Sequence, residues 1–172
     1  MNTPLNLDTI NAMDRAQFVA AFGSSFEHSP WVAERAWAKR PFASLDALHA
    51  AMLGVVEAAP REALVDFLRA HPELAGQEAQ AGTMTDHSVA EQASAGLDAL
   101  SRDEFRELRA LNARYRERHG FPFIVAVRQH SKAQIFALLR ERAAADTAAE
   151  LGEALRQIGT ITRGRLAQKV AA

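Results

Sequence analysis

The chain has 172 residues, 48% apolar and 24% charged, with 20 Lys/Arg against 21 Asp/Glu and no cysteine. That length can bury one substantial core and no second one, so 1–172 is read as a single domain. The near-neutral balance, with no Lys/Arg-rich run, argues against nucleic acid or a membrane as partner, and the missing cysteines exclude disulfides, thiolate nucleophiles and thiolate metal sites. From the first residues onward the pattern is helical. Asp14 with Gln17 reads as a capping box opening a helix that carries Phe18 and Phe22, with Gly23 as its stop. Ser29-Pro30 opens a second helix, carrying Trp31 and Trp37 and ending before Pro41. Ser44 starts a third, through Leu45, Leu48 and Leu53. A fourth runs from Pro60 through Leu64, Phe67 and Leu68 and stops where Pro72 pushes His71 out of helical geometry.

The stretch from Glu73 to Thr85, rich in Gly, Gln and Thr, reads as a loop. Beyond it, Ser88 with Glu91, Ser101 with Glu104 and Thr147 with Glu150 fit the Ser/Thr-x-x-Glu capping box, and Ser131 with Gln134 fits its Gln form. Gly120 ends the helix before Phe121-Pro122-Phe123-Ile124-Val125-Ala126-Val127, a run too short and isolated to found a sheet, read as a buried extended segment. The last helix, from about Thr147, contains Gly152, Gly159 and Gly164, each costing about 1 kcal/mol against alanine unless packing compensates. The expected fold is all-α: a single compact domain of about eight helices with one short extended buried segment. The N-terminal MNTPLNLDTI lacks the basic start and apolar stretch of a signal peptide, no run reaches the length of a membrane span, and the final Val170-Ala171-Ala172 is not a Ser-Lys-Leu address; the expected compartment is cytoplasmic.

Neutral-pH chemistry without cysteine draws naturally on one of the histidines at 28, 49, 71, 87, 119 and 130. His49 inside a helix and His119 beside a helix-ending glycine both have structural explanations. His71 differs: its backbone is fixed between a helix end and Pro72 at the mouth of the loop, while its side chain is left to face a cleft. Glu91 reads first as a capping glutamate. A helix start also presents N–H groups to an anion, so Ser88 to Gln92 could hold a carboxylate or enolate-like ligand, and both readings stand. Phe121 to Val127 reads first as core, yet a buried extended backbone also offers donors and acceptors to a planar, amide-rich ligand. No His-Glu-x-x-His spacing, Cys/His cluster or glycine-rich phosphate loop is present, so neither a metal nor a nucleotide cofactor is expected.

Four passages together resemble the 2-oxo-4-hydroxy-4-carboxy-5-ureidoimidazoline (OHCU) decarboxylases: Phe26 to Trp37 (FEHSPWVAERAW), His71 to Gly76 (HPELAG), Ser88 to Leu97 (SVAEQASAGL) and Tyr115 to Arg128 (YRERHGFPFIVAVR). Their order and spacing cover almost the whole chain. Ile161 to Leu166 resembles the family's closing helix, with Gly164 as a departure. The resemblance implies a homodimer of compact all-α subunits that acts without a cofactor, taking OHCU to (S)-allantoin. Carried over residue by residue, His71 and Glu91 form the catalytic pair. Pro72, Ser88, Glu91 and Gln92 bind substrate together with the backbone of Phe123, Ile124, Val125, Ala126 and Val127, and Arg128 matches the family's basic residue after that run. The substrate's own imine and carbonyl groups can accept the electrons left by CO2, so no external electron sink is required. Two other readings are open on the residues alone: a non-catalytic helical scaffold, and a ring hydrolase or isomerase using the same His/Glu pair without CO2 release. A helical metalloenzyme is a more distant third.

Overall fold

The computed structural model describes residues 3–171; Met1, Asn2 and Ala172, which belong to the termini read above for targeting signals, lie outside the described residues. Ten α-helices and three 3-10 turns, with no strand, make up the described residues. The all-α expectation holds. The helix count rises from about eight to ten because two short helices, α1 (Leu7–Ala12) and α6 (Gln77–Ala81), lack the apolar periodicity by which longer helices are recognised. The chain divides into two compact units, Met1–Phe67 with Gly159–Ala172, and Leu68–Ile158.

In the first unit the Asn6 side chain caps α1 by accepting from the Thr9 N–H, and α2 (Arg15–Phe22) opens with the expected Asp14/Gln17 capping box. α3 (Trp31–Ala36) continues into a 3-10 turn at Trp37–Lys39 and ends before Pro41. α4 (Leu45–Glu57) starts at the Ser44 cap and packs on α3. Ile10, Phe18, Phe22, Leu48 and Met52 are fully buried, and the Phe18 ring lies 5.0 Å from Phe22 and 6.0 Å from Phe42. α5 (Arg61–Arg69) brings Phe67 against Phe26 and Trp31. Both chain ends are tied in: Leu5 pairs with Val170 in a single parallel bridge, and Arg165, 1% exposed, reaches the Glu27 carboxylate at 3.2 Å.

In the second unit α7 (Asp86–Ser94) is followed by α8 (Arg102–His119), which opens with the expected Ser101/Glu104 box and ends at Gly120 in the left-handed conformation, φ 80°. The segment from Phe121 to Val127 is buried at every residue and runs without strand pairing, as expected, as far as Ala126; Val127 already begins the 3-10 turn Val127–Gln129. α9 (Lys132–Ala143) opens with the Ser131/Gln134 box. α10 (Thr147–Ala167) runs without a break through Gly152, Gly159 and Gly164. Of these only Gly159 has a close neighbour, since a Cβ there would sit 3.6 Å from Leu53. The helix continues past Gly164, the residue at which its sequence departs from the family's closing helix.

Two capping assignments also change. α7 begins two residues before Ser88, with Thr85 as its cap, so Ser88 and Glu91 lie inside the helix three residues apart on one face. At α10 the Asp146 carboxylate accepts from the Ala149 N–H. Glu150 is instead drawn inward, where it accepts from the Tyr115 hydroxyl and lies 3.0 Å from Arg142 Nε. A buried cation and phenol hold a carboxylate more strongly than an exposed backbone N–H can.

Candidate active site

The site is built wholly from the second unit, Leu68–Ile158. His71 follows the end of α5; its own N–H donates to the Leu68 carbonyl, and Pro72 takes the chain away from the helix axis. The next residues are not a free loop. Ala75 takes a positive φ of 48°, and Gly76 is so close to Glu73 that a Cβ would stand 2.7 Å from the glutamate's own Cβ. α6 then occupies the middle of the segment expected to be irregular and ends at Gly82 in the left-handed conformation.

Gln92 holds this segment in place. Its Oε1 accepts from the Ala75 N–H at 2.9 Å, while Nε2 lies 3.4 Å from the Glu73 carbonyl and 3.2 Å from Met84 Sδ. From α8, Asn112 Nδ2 donates to the Leu74 carbonyl at 3.0 Å, and Arg116 pairs with Glu73. The chain just after Pro72 is therefore held from two helices and the chain just before it by the end of α5, which limits the positions open to the His71 imidazole.

The opposite wall is the extended segment, itself braced from behind. Arg142 Nη1 donates to the Ile124 carbonyl at 2.8 Å, and its guanidinium carbon lies 4.6 Å from the Phe123 ring centroid. The Ala126 N–H donates to Gln157 Oε1 at 2.9 Å. Tyr115 crosses edge-on to Phe121 and Phe123, and its hydroxyl donates to Glu150. Burial, then the hydrogen bond and charge of Glu150, push the Tyr115 phenol far above its ordinary pKa, so it stays a donor at any physiological pH. His119 bridges Thr147 Oγ1 and the Arg142 carbonyl at 2.9 Å each, a structural use of that ring.

Between these walls lies a pocket lined by His71, Pro72, Leu74, Ser88, Glu91, Gln92, Phe123, Ile124, Val125 and Val127. Two of the residues selected from sequence are not in the lining: Ala126, whose N–H turns to Gln157, and Arg128, exposed in the 3-10 turn Val127–Gln129. Leu74, 5% exposed, is the lining residue that sequence reasoning did not select; its position beside the selected His71-Pro72 pair was the available signal. The free volume is about 10 Å³, room for about one water. Ser88 and Gln92 are buried, while His71 and Glu91 are half-buried. An imidazole, a carboxylate, a hydroxyl and extended backbone thus meet in one small space, an arrangement suited to proton transfer on a bound polar heterocycle.

Comparisons with known proteins place the chain in a family. The family model described as OHCU decarboxylase matches residues 11–167. A 2-oxo-4-hydroxy-4-carboxy-5-ureidoimidazoline decarboxylase from Haloferax volcanii is 47% identical over 96% of this chain and 96% of its own length. A mouse protein of the same name is 38% identical, covering 94% of this chain and 91% of its own. Among solved structures, a crystal structure of (S)-allantoin synthase superposes with a TM-score of 0.77 at 27% identity, covering 98% of this chain; the chain spans 54% of that longer protein.

Proposed function

Since the chain belongs to the OHCU decarboxylase family, we propose that the pocket between His71-Pro72, α7 and the extended segment is where its reaction takes place. The chain is a carboxy-lyase of urate degradation that converts OHCU to allantoin. The observation that carries the site assignment is the convergence of His71, Ser88, Glu91 and the backbone of Phe123 to Val125 on one hollow.

In the proposed mechanism the ureidoimidazoline ring lies against the extended segment. Glu91 takes the proton of the 4-hydroxyl. The C–C bond to the carboxylate breaks, CO2 leaves, and its electron pair passes into the adjacent ring imine, whose nitrogen takes up the proton that Glu91 removed. The hydroxyl carbon becomes a carbonyl as the neighbouring carbon, which bears the ureido group, receives a proton. His71 steers the carboxylate out of the ring plane and delivers that proton to one face, so the product is (S)-allantoin rather than a racemate. A positioned general acid of this kind contributes about 10²- to 10⁴-fold in rate. The free volume of about 10 Å³ is smaller than the substrate, so binding displaces part of the lining; the segment from Glu73 to Thr85, held chiefly through side chains, is the proposed mobile part. Gln92 reaches substrate only by exchanging one of its bonds to that segment. Arg128 then approaches from the rim. A single domain, a homodimer and a cytoplasmic location complete the proposal; among the described residues no helix is long and apolar enough to cross a membrane.

The test generates OHCU in situ from urate and follows optical activity for wild type, His71→Ala and Glu91→Gln. Rapid (S)-allantoin formation by wild type, reduced about 10²- to 10⁴-fold in both folded variants, supports the assignment. A racemic enzymatic product would remove the proton-delivery role of His71. Light scattering on a size-exclusion column tests the dimer, and a monomer mass at working concentration rejects it.

A further inference from the structure

The same unit contains a second and much larger hollow that none of the residues selected for catalysis lines, apart from His71. It is a cleft of about 810 Å³ between one face of α8 and the segment from Glu73 to Ala81. Phe105, Arg109, Asn112 and Arg116 recur along α8 at three- and four-residue spacing, which places them in a single stripe. The charged lining is three arginines, at 69, 109 and 116, against Glu73 and Glu78, with the His71 imidazole beside them. Arg116 is paired with Glu73, and Arg69 Nε donates to the Gly120 carbonyl at 2.8 Å. Arg109 makes no ion pair or hydrogen bond among the described residues. One turn along, Asn112 is 5% exposed, with its Nδ2 tethered to Leu74 and its Oδ1 left without a donor. A buried carbonyl oxygen without a partner is costly, so a ligand N–H delivered to it is favoured.

We infer that this cleft is a capture subsite for ureido carboxylates, with Arg109 taking the carboxylate and Asn112 Oδ1 a ureido N–H, one step before His71. The inference rests on the decarboxylase reading for its substrate. Because His71 faces both hollows, a ligand in the cleft already touches a residue of the reaction pocket, whose own free volume is too small to serve as an entrance. Phe105 and Phe121 provide the apolar surface against which a planar ring can lie. Decarboxylation removes the group that Arg109 holds, so substrate is retained in the cleft and product is not. Glu78, across the cleft, opposes any anion and sets the balance.

The test titrates the ¹⁵N-labelled protein with N-carbamoylglycine, an unreactive ureido carboxylate, and with its neutral amide. N-carbamoylglycine is expected to shift the Gly76 and Ala113 amides, to bind about tenfold more weakly to Arg109→Glu and more tightly to Glu78→Gln, while the neutral amide is indifferent to both changes. In turnover, Arg109→Glu lowers kcat/KM by a similar factor at low salt and leaves kcat unchanged. Equal affinity in wild type and Arg109→Glu, or shifts confined to Ser88 and residues 123–127, overturns the inference. Decarboxylation by wild type without probe binding in the cleft sinks the subsite alone. Probe binding there, with OHCU decaying only at its spontaneous rate, supports the subsite and sinks the reaction assignment.

Discussion

Each unit buries an arginine–carboxylate pair, Arg165 with Glu27 and Arg142 with Glu150, and the two are used differently. Arg165 and Glu27, each 1% exposed in the side chain, join residues 138 apart in sequence, and the same guanidinium reaches the Ser25 carbonyl at 3.3 Å. Arg142 and Glu150 are only eight residues apart and hold together little chain by themselves. Their contacts beyond each other decide their role, because Arg142 also holds the Ile124 carbonyl and the Phe123 face while Glu150 takes the Tyr115 hydroxyl. The first pair fastens the end of the chain; the second braces one wall of the pocket. A buried ion pair is seldom a net gain over well-packed apolar residues, so what each pair positions is the better measure of its use.

Breaking either pair on one side should produce the largest effects. Arg142→Met strands Glu150 and releases the Ile124 carbonyl; a loss of about 3–5 kcal/mol in urea unfolding is expected, together with reduced decarboxylation by the molecules that remain folded. Arg165→Met likewise strands Glu27, and a loss in the same range is expected without a direct effect on the pocket wall. The double replacements sharpen the contrast: Glu27→Leu with Arg165→Met takes a donor from the Ser25 carbonyl, whereas Glu150→Leu with Arg142→Met takes partners from both the Ile124 carbonyl and the Tyr115 hydroxyl and should recover less of the lost stability. Equal recovery in both would show that the two pairs are energetically alike. Tyr115→Phe removes one charge-assisted hydrogen bond and should cost about 1.5–3 kcal/mol without stranding a cation.

The smallest effect concerns pH in the first unit. His49, bonded to Thr162 Oγ1 at 2.9 Å, has its pKa lowered below 6.5, first by burial and then by the Arg163 charge, against an upward pull from Asp46 and a Gly159 hydrogen bond. A depressed histidine favours its neutral form in the folded state. Its stabilisation is therefore present above pH 6.5 and is lost as pH falls through the folded value. Melting temperature should decline on acidification more steeply in wild type than in His49→Gln, and parallel profiles would refute this.

What could be read from sequence was what neighbouring residues decide. The Asp14/Gln17, Ser101/Glu104 and Ser131/Gln134 boxes form as expected because both partners lie within one turn of each other. The pattern misleads at Glu150, where distant Tyr115 and Arg142 compete for the carboxylate, and at Ser88, where Thr85 starts the helix three residues earlier. α6 was hidden in a Gly- and Gln-rich stretch whose conformation is held by Gln92 and Asn112, neither of them local to it. For the site, His71-Pro72 and the extended segment stood out, since a proline and a β-branched run leave local marks. Leu74 and the Arg142 brace did not, because packing from other helices determines their roles.

The burial of Tyr115 has a practical corollary. It is the chain's single tyrosine, and it lies in Leu68–Ile158, whereas both tryptophans, Trp31 and Trp37, lie in Met1–Phe67. The molecule thus carries a separate natural chromophore in each unit. Indole fluorescence follows one and phenol absorbance the other, so a single unlabelled denaturation series shows whether the two melt together or in turn.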